Sequence, residues 1–544
     1  MTASADAHDR GGKSITGAAA VMGTSILLSR VLGLVRTRVL AGYGGTGFEV
    51  DAYVAAFLIP DYLNHFMASG FLSITFIPII QRYLSTGNRD EAWRCFSNLF
   101  TVGTVVLAVL LALGVVYADE LLFAIERLKG LFGAAPGLRR DPQWVALTVR
   151  LTRIVMPAQL FLYWGSFLMA VQFAHRRFLF PALQPLFYNA GIIAGGVLGS
   201  RIPSLGIEGF AWGVLGGAFV GAVVVQVPGA RAAGLRFRPR FHLNDTDLRS
   251  FVVLSLPFVV GIGMTYSIEL FRLFGLFLSE GAMSSLNYSV RTMMILVAVL
   301  GQGVATASYP FMSRLSAEGK LQEMNRLAVT IIKRISILVI PVSCVLFVLA
   351  PDILGVLFQH GKFGHEATSF TAPLLSIYLV GAFAFTANTV VMRCFYAVQN
   401  TFEPMVISTV SVAASVPLYF VAMRSLGATG VPLVLSATVI CQFLVLLARW
   451  SLRHGSLKIL KEVLATQGVL WAFGIPGALA CRGLRYALIT HSPLPETSFV
   501  FHLAALPLAG IPALAAIYFA AYLAGLREIG ETLGQAARRL SPGR

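Results

Sequence analysis

From about residue 16 to residue 526 the chain runs through one apolar stretch after another, with no polar domain between them. An α-helix needs about 20 apolar residues to cross a bilayer core, and this repetition constrains the fold more than any other feature. Composition agrees: of 544 residues, 56% are hydrophobic and 12% charged, against about 25% charged in a soluble domain. So few ions cannot cover a soluble surface of this size, which excludes a string of soluble domains. The unbroken run of apolar segments likewise excludes a single-pass receptor, and continuous rather than alternating hydrophobicity excludes a transmembrane barrel. What remains is an all-α polytopic membrane protein.

Fourteen spans are expected, at roughly 17–41, 51–80, 95–118, 146–173, 180–200, 207–230, 250–279, 282–309, 327–350, 368–396, 404–423, 428–449, 464–487 and 498–525. The formal charge of +17 would suggest nucleic acid in a soluble chain. Here it is read as positive-inside loops and contact with anionic lipids, with no nucleic-acid partner. A cytoplasmic N-terminus puts Arg82, Arg89 and Arg94, then Arg176 and Arg177, then Arg231, Arg236, Arg238 and Arg240 on the inside. It leaves the connections near 41–50, 280 and 423–428 almost free of Lys and Arg. An even number of spans returns the C-terminus to the same side. Segment 119–145 reads as an amphipathic stretch on the outer side. The polar first fifteen residues lead into an arginine-bearing apolar stretch without a cleavage site, so no removable signal peptide is expected. Cys95, Cys344, Cys394, Cys441 and Cys481 are scattered singly and read as small hydrophobes.

A faint repeat is present. Pro78, Arg82, Gly87 and Glu91 recur at the same spacing as Pro310, Arg314, Gly319 and Glu323, at the ends of the second and eighth expected spans. It suggests two six-helix lobes, residues 1–230 and 248–453, joined by a basic linker at 231–247. Residues 454–544 then add two helices and a tail, and transporters of this build hold substrate between the repeats.

The informative residues are ions at membrane depth, each costing about 2.5–3.5 kcal/mol and therefore usually facing an interior cavity. The first span carries Arg30, Arg36 and Arg38, the second Asp51, Asp61 and His65, the seventh Glu269 and Arg272, and the eighth Arg291. Arg30 and Arg36 are about 9 Å apart along a helix and ~120° around it. They can line a wide cavity, or converge if the helix bends near Gly33. Glu269 and Arg272 have the i, i+3 spacing of an ordinary helical ion pair, and Asp51 reads equally as a structural salt-bridge partner. No surplus of acids at this depth neutralises Arg30, Arg36 and Arg291 together. A cationic cavity in a bilayer invites an anionic cargo, and the planar guanidinium fork suits phosphate.

Several stretches carry a family resemblance: SRVLGLVR, then DAYVAAFLIPDYL and ASGFLSITFIPII, FLFPALQPLFYNAGII at 178–193, LFQHGKF at 357–363 and RCFYAVQNTFEP at 393–404. Together they resemble the MurJ (MviN) family, the bacterial lipid II flippases of the multidrug/oligosaccharidyl-lipid/polysaccharide (MOP) superfamily. The resemblance implies a cytoplasmic-membrane protein, not an enzyme. Such a protein moves undecaprenyl-pyrophosphate-linked peptidoglycan precursor to the periplasmic leaflet by alternating access. It also implies that Arg30, Arg36 and Arg291, with Ser29, hold the pyrophosphate, and that Asp51, Asn64 and His65 fall on gating or cavity positions.

Departures from the family pattern are Thr37 in place of an acid, Asn64 and His65 in place of basic residues, and Ser69 in place of another acid. A monomer without cofactor is expected. Coupling to the membrane potential, or to sodium at Glu269 and Asn388, is carried forward. Two rivals stand beside this reading. Another exporter of the superfamily is one, although a drug exporter would favour acidic cavity residues. A membrane enzyme acting on polyprenyl phosphates is the other, although the chain lacks the carboxylate cluster it would need.

Overall fold

The computed structural model describes every residue except Met1, 69–70, 132–140, 176, 262–268, 455–456, 533 and 535–544. The described residues are helical, without strands, and form two compact units, Met1–Val260 and Gly261–Arg544. Nine stretches among them are long and apolar enough to cross a membrane. One of these, Phe402–His454, contains two helices, Phe402–Leu426 and Gly430–His454, separated by a turn at Gly427, whose φ is +59°.

The remaining expected spans are shaped by their own residues. The first lies inside Thr2–Gly44. The second is broken into Phe48–Ala56, Leu58–Ala68 and Phe71–Ser85. Pro60 supplies the first of these breaks, because it has no N–H to continue the preceding helix and is tolerated only in a first turn. The fifth is the 23-residue helix Leu179–Arg201, whose apolar character is diluted by Pro181, Pro185, Gln184, Asn189 and glycines. The seventh contains 262–268, which lie outside the described residues, as does 132–140 beyond the amphipathic helix Ala118–Leu131 of the expected outer stretch.

In the first unit, glycines fix the closest packing. Leu179–Arg201 lies against Glu208–Phe219, with Gly191, Gly195 and Gly199 facing Gly209, Gly213 and Gly217. A Cβ placed on Gly195 would stand 2.2 Å from the Gly209 carbonyl oxygen, and one on Gly213 2.5 Å from that of Gly191. Lipid is as apolar as leucine and does not drive helices together, so membrane helices associate through such close backbone approach at small residues. The second helix continues through a π-helical turn at Val220–Val224 into Gln226–Ala232.

In the second unit, His365–Ala397 is the central element. It packs on Ala282–Val297, Leu321–Val348 and Gly430–His454, and it is the most buried of the candidate spans. Leu457–His491 and Phe499–Leu523 pack on each other and on Leu321–Val348. Cys95, Cys344, Cys394 and Cys481 are buried free thiols; Cys441 is free and exposed.

The faint sequence repeat is a structural repeat. Pro78 lies in Phe71–Ser85 and Pro310 in Gly303–Ala317. Gly87 and Gly319 then take φ of +77° and +73°, a left-handed conformation that glycine adopts without steric cost. Both turns close alike: Asn88 N–H donates to the Tyr83 carbonyl at 3.0 Å and Lys320 N–H to that of Leu315 at 2.9 Å. Each leads into a 28-residue helix, Arg89–Val116 or Leu321–Val348. At the second turn, hydrogen bonds from Lys320 and Arg314 hold the pKa of the exposed Glu318 carboxyl down at about 2.

Candidate functional site

The first helix is sorted by its small residues. Ser25, Ser29 and Thr37 lie on one face, at spacings of four and eight. Ser25 Oγ donates to the Ala182 carbonyl, and Asn189 Nδ2 donates to Ser29 Oγ at 3.3 Å, so this face packs on Leu179–Arg201. Thr37 is buried and donates to the carbonyl of Gly33 in its own helix at 2.9 Å, so it presents no charge. Packing this face leaves Arg30 and Arg38 exposed on the unit and Arg36 half-buried. The helix runs without interruption through Gly33. Among the described residues, Arg36 has no carboxylate in ion-pair range.

Asp51 is fully buried in the first turn of Phe48–Ala56, where an acid complements the positive end of the helix. Asn64 and His65 belong to Leu58–Ala68, but their side chains lie outside the described residues, as does Ser69.

In the second unit, Glu269 precedes the short helix Leu270–Gly275 and Arg291 lies two-thirds along Ala282–Val297. Glu269 and Arg272 form the expected i, i+3 ion pair at 3.1 Å, with the arginine side chain only 7% exposed. Nothing in the residue spacing hints that Arg291 Nη2 also lies 3.9 Å from Glu269 Oε1. One carboxylate thus stands between two guanidiniums, so Arg291 is partly compensated and the trio carries one net positive charge. The Arg291 side chain is 41% exposed, and its contact with Glu269 exceeds hydrogen-bond length.

Glu269, one of the two sodium ligands expected from sequence, has guanidiniums on both sides of its carboxylate. The other expected ligand, Asn388, has a buried Oδ1 without a hydrogen-bond partner among the described residues. No group of three or more His, Cys, Asp or Glu side chains suited to a metal occurs among them.

Sequence reading missed one buried polar cluster altogether. Asp352 is fully buried and accepts hydrogen bonds from Arg485 Nε at 2.6 Å and from His502 Nδ1 at 2.9 Å. Arg485 also bonds Glu496 at 2.7 Å. Gln359 Nε2 donates to the Thr497 carbonyl and its Oε1 accepts from Thr368, which fixes the amide with its oxygen toward His502 Nε2 at 3.2 Å. Both ring nitrogens of His502 therefore face acceptors. The cluster ties Ala350–Phe358 to the last two long helices. Its members are far apart in sequence, and no periodicity links them.

The sequence profile of the family described as "Lipid II flippase MurJ" matches residues 40–492. A protein of Rhizobium meliloti (strain 1021) named "Probable lipid II flippase MurJ" is 29% identical over 419 residues, covering 76% of each chain. Among solved structures, a lipid II flippase MurJ in an inward closed conformation superposes with a TM-score of 0.71 at 21% identity, covering 91% of this chain and 97% of that one. A multidrug resistance MATE family transporter of the MOP superfamily, in an inward-facing conformation, gives 0.62 at 14% identity, covering 81% and 96%. At these identities the superpositions speak for the fold alone, which this chain shares with both. The profile match extends over most of the chain, and the chain belongs to the lipid II flippase MurJ family.

Proposed function

We propose that this protein moves lipid II from the cytoplasmic to the periplasmic leaflet of the bacterial inner membrane by alternating access, acting as a monomer with both termini cytoplasmic. It is a transporter rather than an enzyme: its work is to carry an anionic headgroup through the bilayer, with no bond made or broken. The observation that carries this reading is the family match over residues 40–492 in a chain that retains Arg30, Arg36 and Arg291.

The chemistry follows from the guanidiniums. A pyrophosphate offers several anionic oxygens, and each arginine fork can engage two of them. Arg36, without a carboxylate in range among the described residues, and Arg291, loosely held by Glu269, are suited to exchange protein or water contacts for phosphate oxygens. Arg272 is buried in its pair with Glu269 and serves the architecture. Net movement of cationic groups with the cargo would make transport sensitive to the membrane potential, at about 2.3 kcal/mol per charge per 100 mV. The flanking arginines of Glu269 favour that form of coupling over a sodium ion bound there.

The test is complementation of a flippase-depleted bacterium. Arg30→Ala, Arg36→Ala and Arg291→Ala should each abolish growth while the protein accumulates in the membrane at normal level. Full growth with all three variants would refute the assignment of the site.

A further inference from the structure

The segment after Gln226–Ala232 is an edge with two faces. Residues 235–242 run without regular structure along Arg89–Val116, held by side chains of that helix. Ser97 Oγ accepts from Arg238 N–H at 3.1 Å and Thr101 Oγ1 from Arg240 N–H at 3.4 Å. Asn98 accepts from His242 N–H at 2.8 Å and donates to the His242 carbonyl at 3.0 Å. Side chains of extended backbone point alternately to opposite sides, and the sequence here is Arg236-Phe237-Arg238-Pro239-Arg240. Phe237 packs edge-on against Phe100, with ring centroids 5.3 Å apart, while the arginines fall on the other side.

Each side borders a cavity, and Pro239 is common to both. The apolar one, about 690 Å³, is lined by Phe100, Val105, Trp164, Leu168, Val223 and Phe237, with Arg231 also on its wall. It opens beside a helix that leaves Val105, Val106 and Val109 exposed, a surface suited to acyl chains. The polar one, about 540 Å³, is bordered by Arg94, Arg236, Arg238 and Arg240 against a single acid, Asp90. Arg94 is paired with Glu91. Among the described residues, Arg236, Arg238 and Arg240 are exposed and have no carboxylate in ion-pair range.

We propose that these adjoining cavities form a binding site for an anionic glycerophospholipid. Its phosphate sits among Arg236, Arg238 and Arg240, and an acyl chain fills the aromatic-walled cavity. Charge complementarity selects this occupant. A zwitterionic headgroup would bring an ammonium into the arginine cluster, and free phosphate would leave the apolar cavity uncovered. Basic pockets between helices at a membrane surface recognise anionic headgroups on these terms. The site lies wholly in the first unit and uses none of Arg30, Arg36 or Arg291, so it stands or falls separately from the transport reading.

The experiment is native mass spectrometry of the full-length, delipidated protein in detergent, titrated in turn with phosphatidylglycerol, phosphatidylethanolamine, polyprenyl phosphate and inorganic phosphate. Phosphatidylglycerol should saturate one site at least tenfold more tightly than phosphatidylethanolamine, with no displacement by inorganic phosphate. The triple variant R236Q/R238Q/R240Q should weaken that binding by roughly tenfold or more, as should V223W, which fills the apolar cavity. The control R326Q/K461Q should bind like the parent. Unfolding temperatures of the lipid-free variants establish that each is folded. Equal affinity for the two phospholipids, undiminished binding by the triple variant, displacement by inorganic phosphate, or tighter binding of polyprenyl phosphate would each overturn the proposal.

Discussion

Arg291 Nη2 stands 3.9 Å from Glu269 Oε1, while the other oxygen of the same carboxylate is 3.1 Å from Arg272 Nη2. The two arginines differ in what they lose when Glu269 is removed. Arg272 is almost fully buried and would lose the carboxylate that faces it, whereas Arg291 is substantially exposed to begin with.

Glu269→Gln should therefore lower stability by about 3–5 kcal/mol, the cost typical of breaking a buried ion pair from one side. Replacing both partners, as in E269Q/R272M, should recover most of that loss, because the buried charge is then removed as well. Thermal unfolding of the purified protein in detergent measures both. A double variant as unstable as the single one would show that Glu269 stabilises through something other than its pair with Arg272. Arg291→Ala should leave the unfolding temperature nearly unchanged.

The glycine contact between Leu179–Arg201 and Glu208–Phe219 makes a sharper prediction. Gly195→Ala forces a Cβ into the Gly209 carbonyl, so the helices must separate, at a cost of about 1–3 kcal/mol as in other overpacked cores. Gly216, on the same hairpin, has open space within 4 Å of the point where an alanine methyl would stand. Gly216→Ala should be neutral or stabilising by up to about 1 kcal/mol through helix propensity. Membrane accumulation and unfolding temperature, compared for the two variants, decide the matter; equal tolerance of both would contradict the glycine-mediated packing.

Asp352 is the third case. It is wholly buried between Arg485 and His502, so Asp352→Ala leaves Arg485 with Glu496 alone and His502 with Gln359 alone, and a loss of about 1–3 kcal/mol is expected from the hydrogen bonds left unmade. Limited proteolysis should show the last two helices released first, since the cluster joins them to Ala350–Phe358. Unaltered protection of that helix pair would mean that apolar packing alone holds it.

The solvent is legible in the sequence, and with it the spans, because burial in lipid demands long apolar helices whatever their tertiary partners. The repeat at Gly87 and Gly319 is legible too, since a left-handed turn between helices restricts residue choice strongly. The second span reads as continuous in the sequence but is broken in the structure, because Pro60 acts locally while the apolar run continues across it. The contact between the fifth and sixth spans is present in the spacing of Gly191, Gly195 and Gly199, yet glycines in an apolar stretch carry no pairing information until the facing set is known. The approach of Arg291 to Glu269 and the assembly of Asp352, Arg485 and His502 depend on tertiary geometry. No periodicity reveals them. Arg30, Arg36 and Arg291 stand out in the sequence because a charge inside an apolar span is costly wherever the chain goes.

The most direct test is the accessibility of lipid II at the periplasmic face of cells in which this protein is depleted and no other flippase is present. Depletion should reduce the externally accessible fraction while lipid II accumulates inside. Re-expression of the parent protein should restore it, and re-expression of the Arg36→Ala variant should not. Unchanged accessibility after depletion would contradict the account.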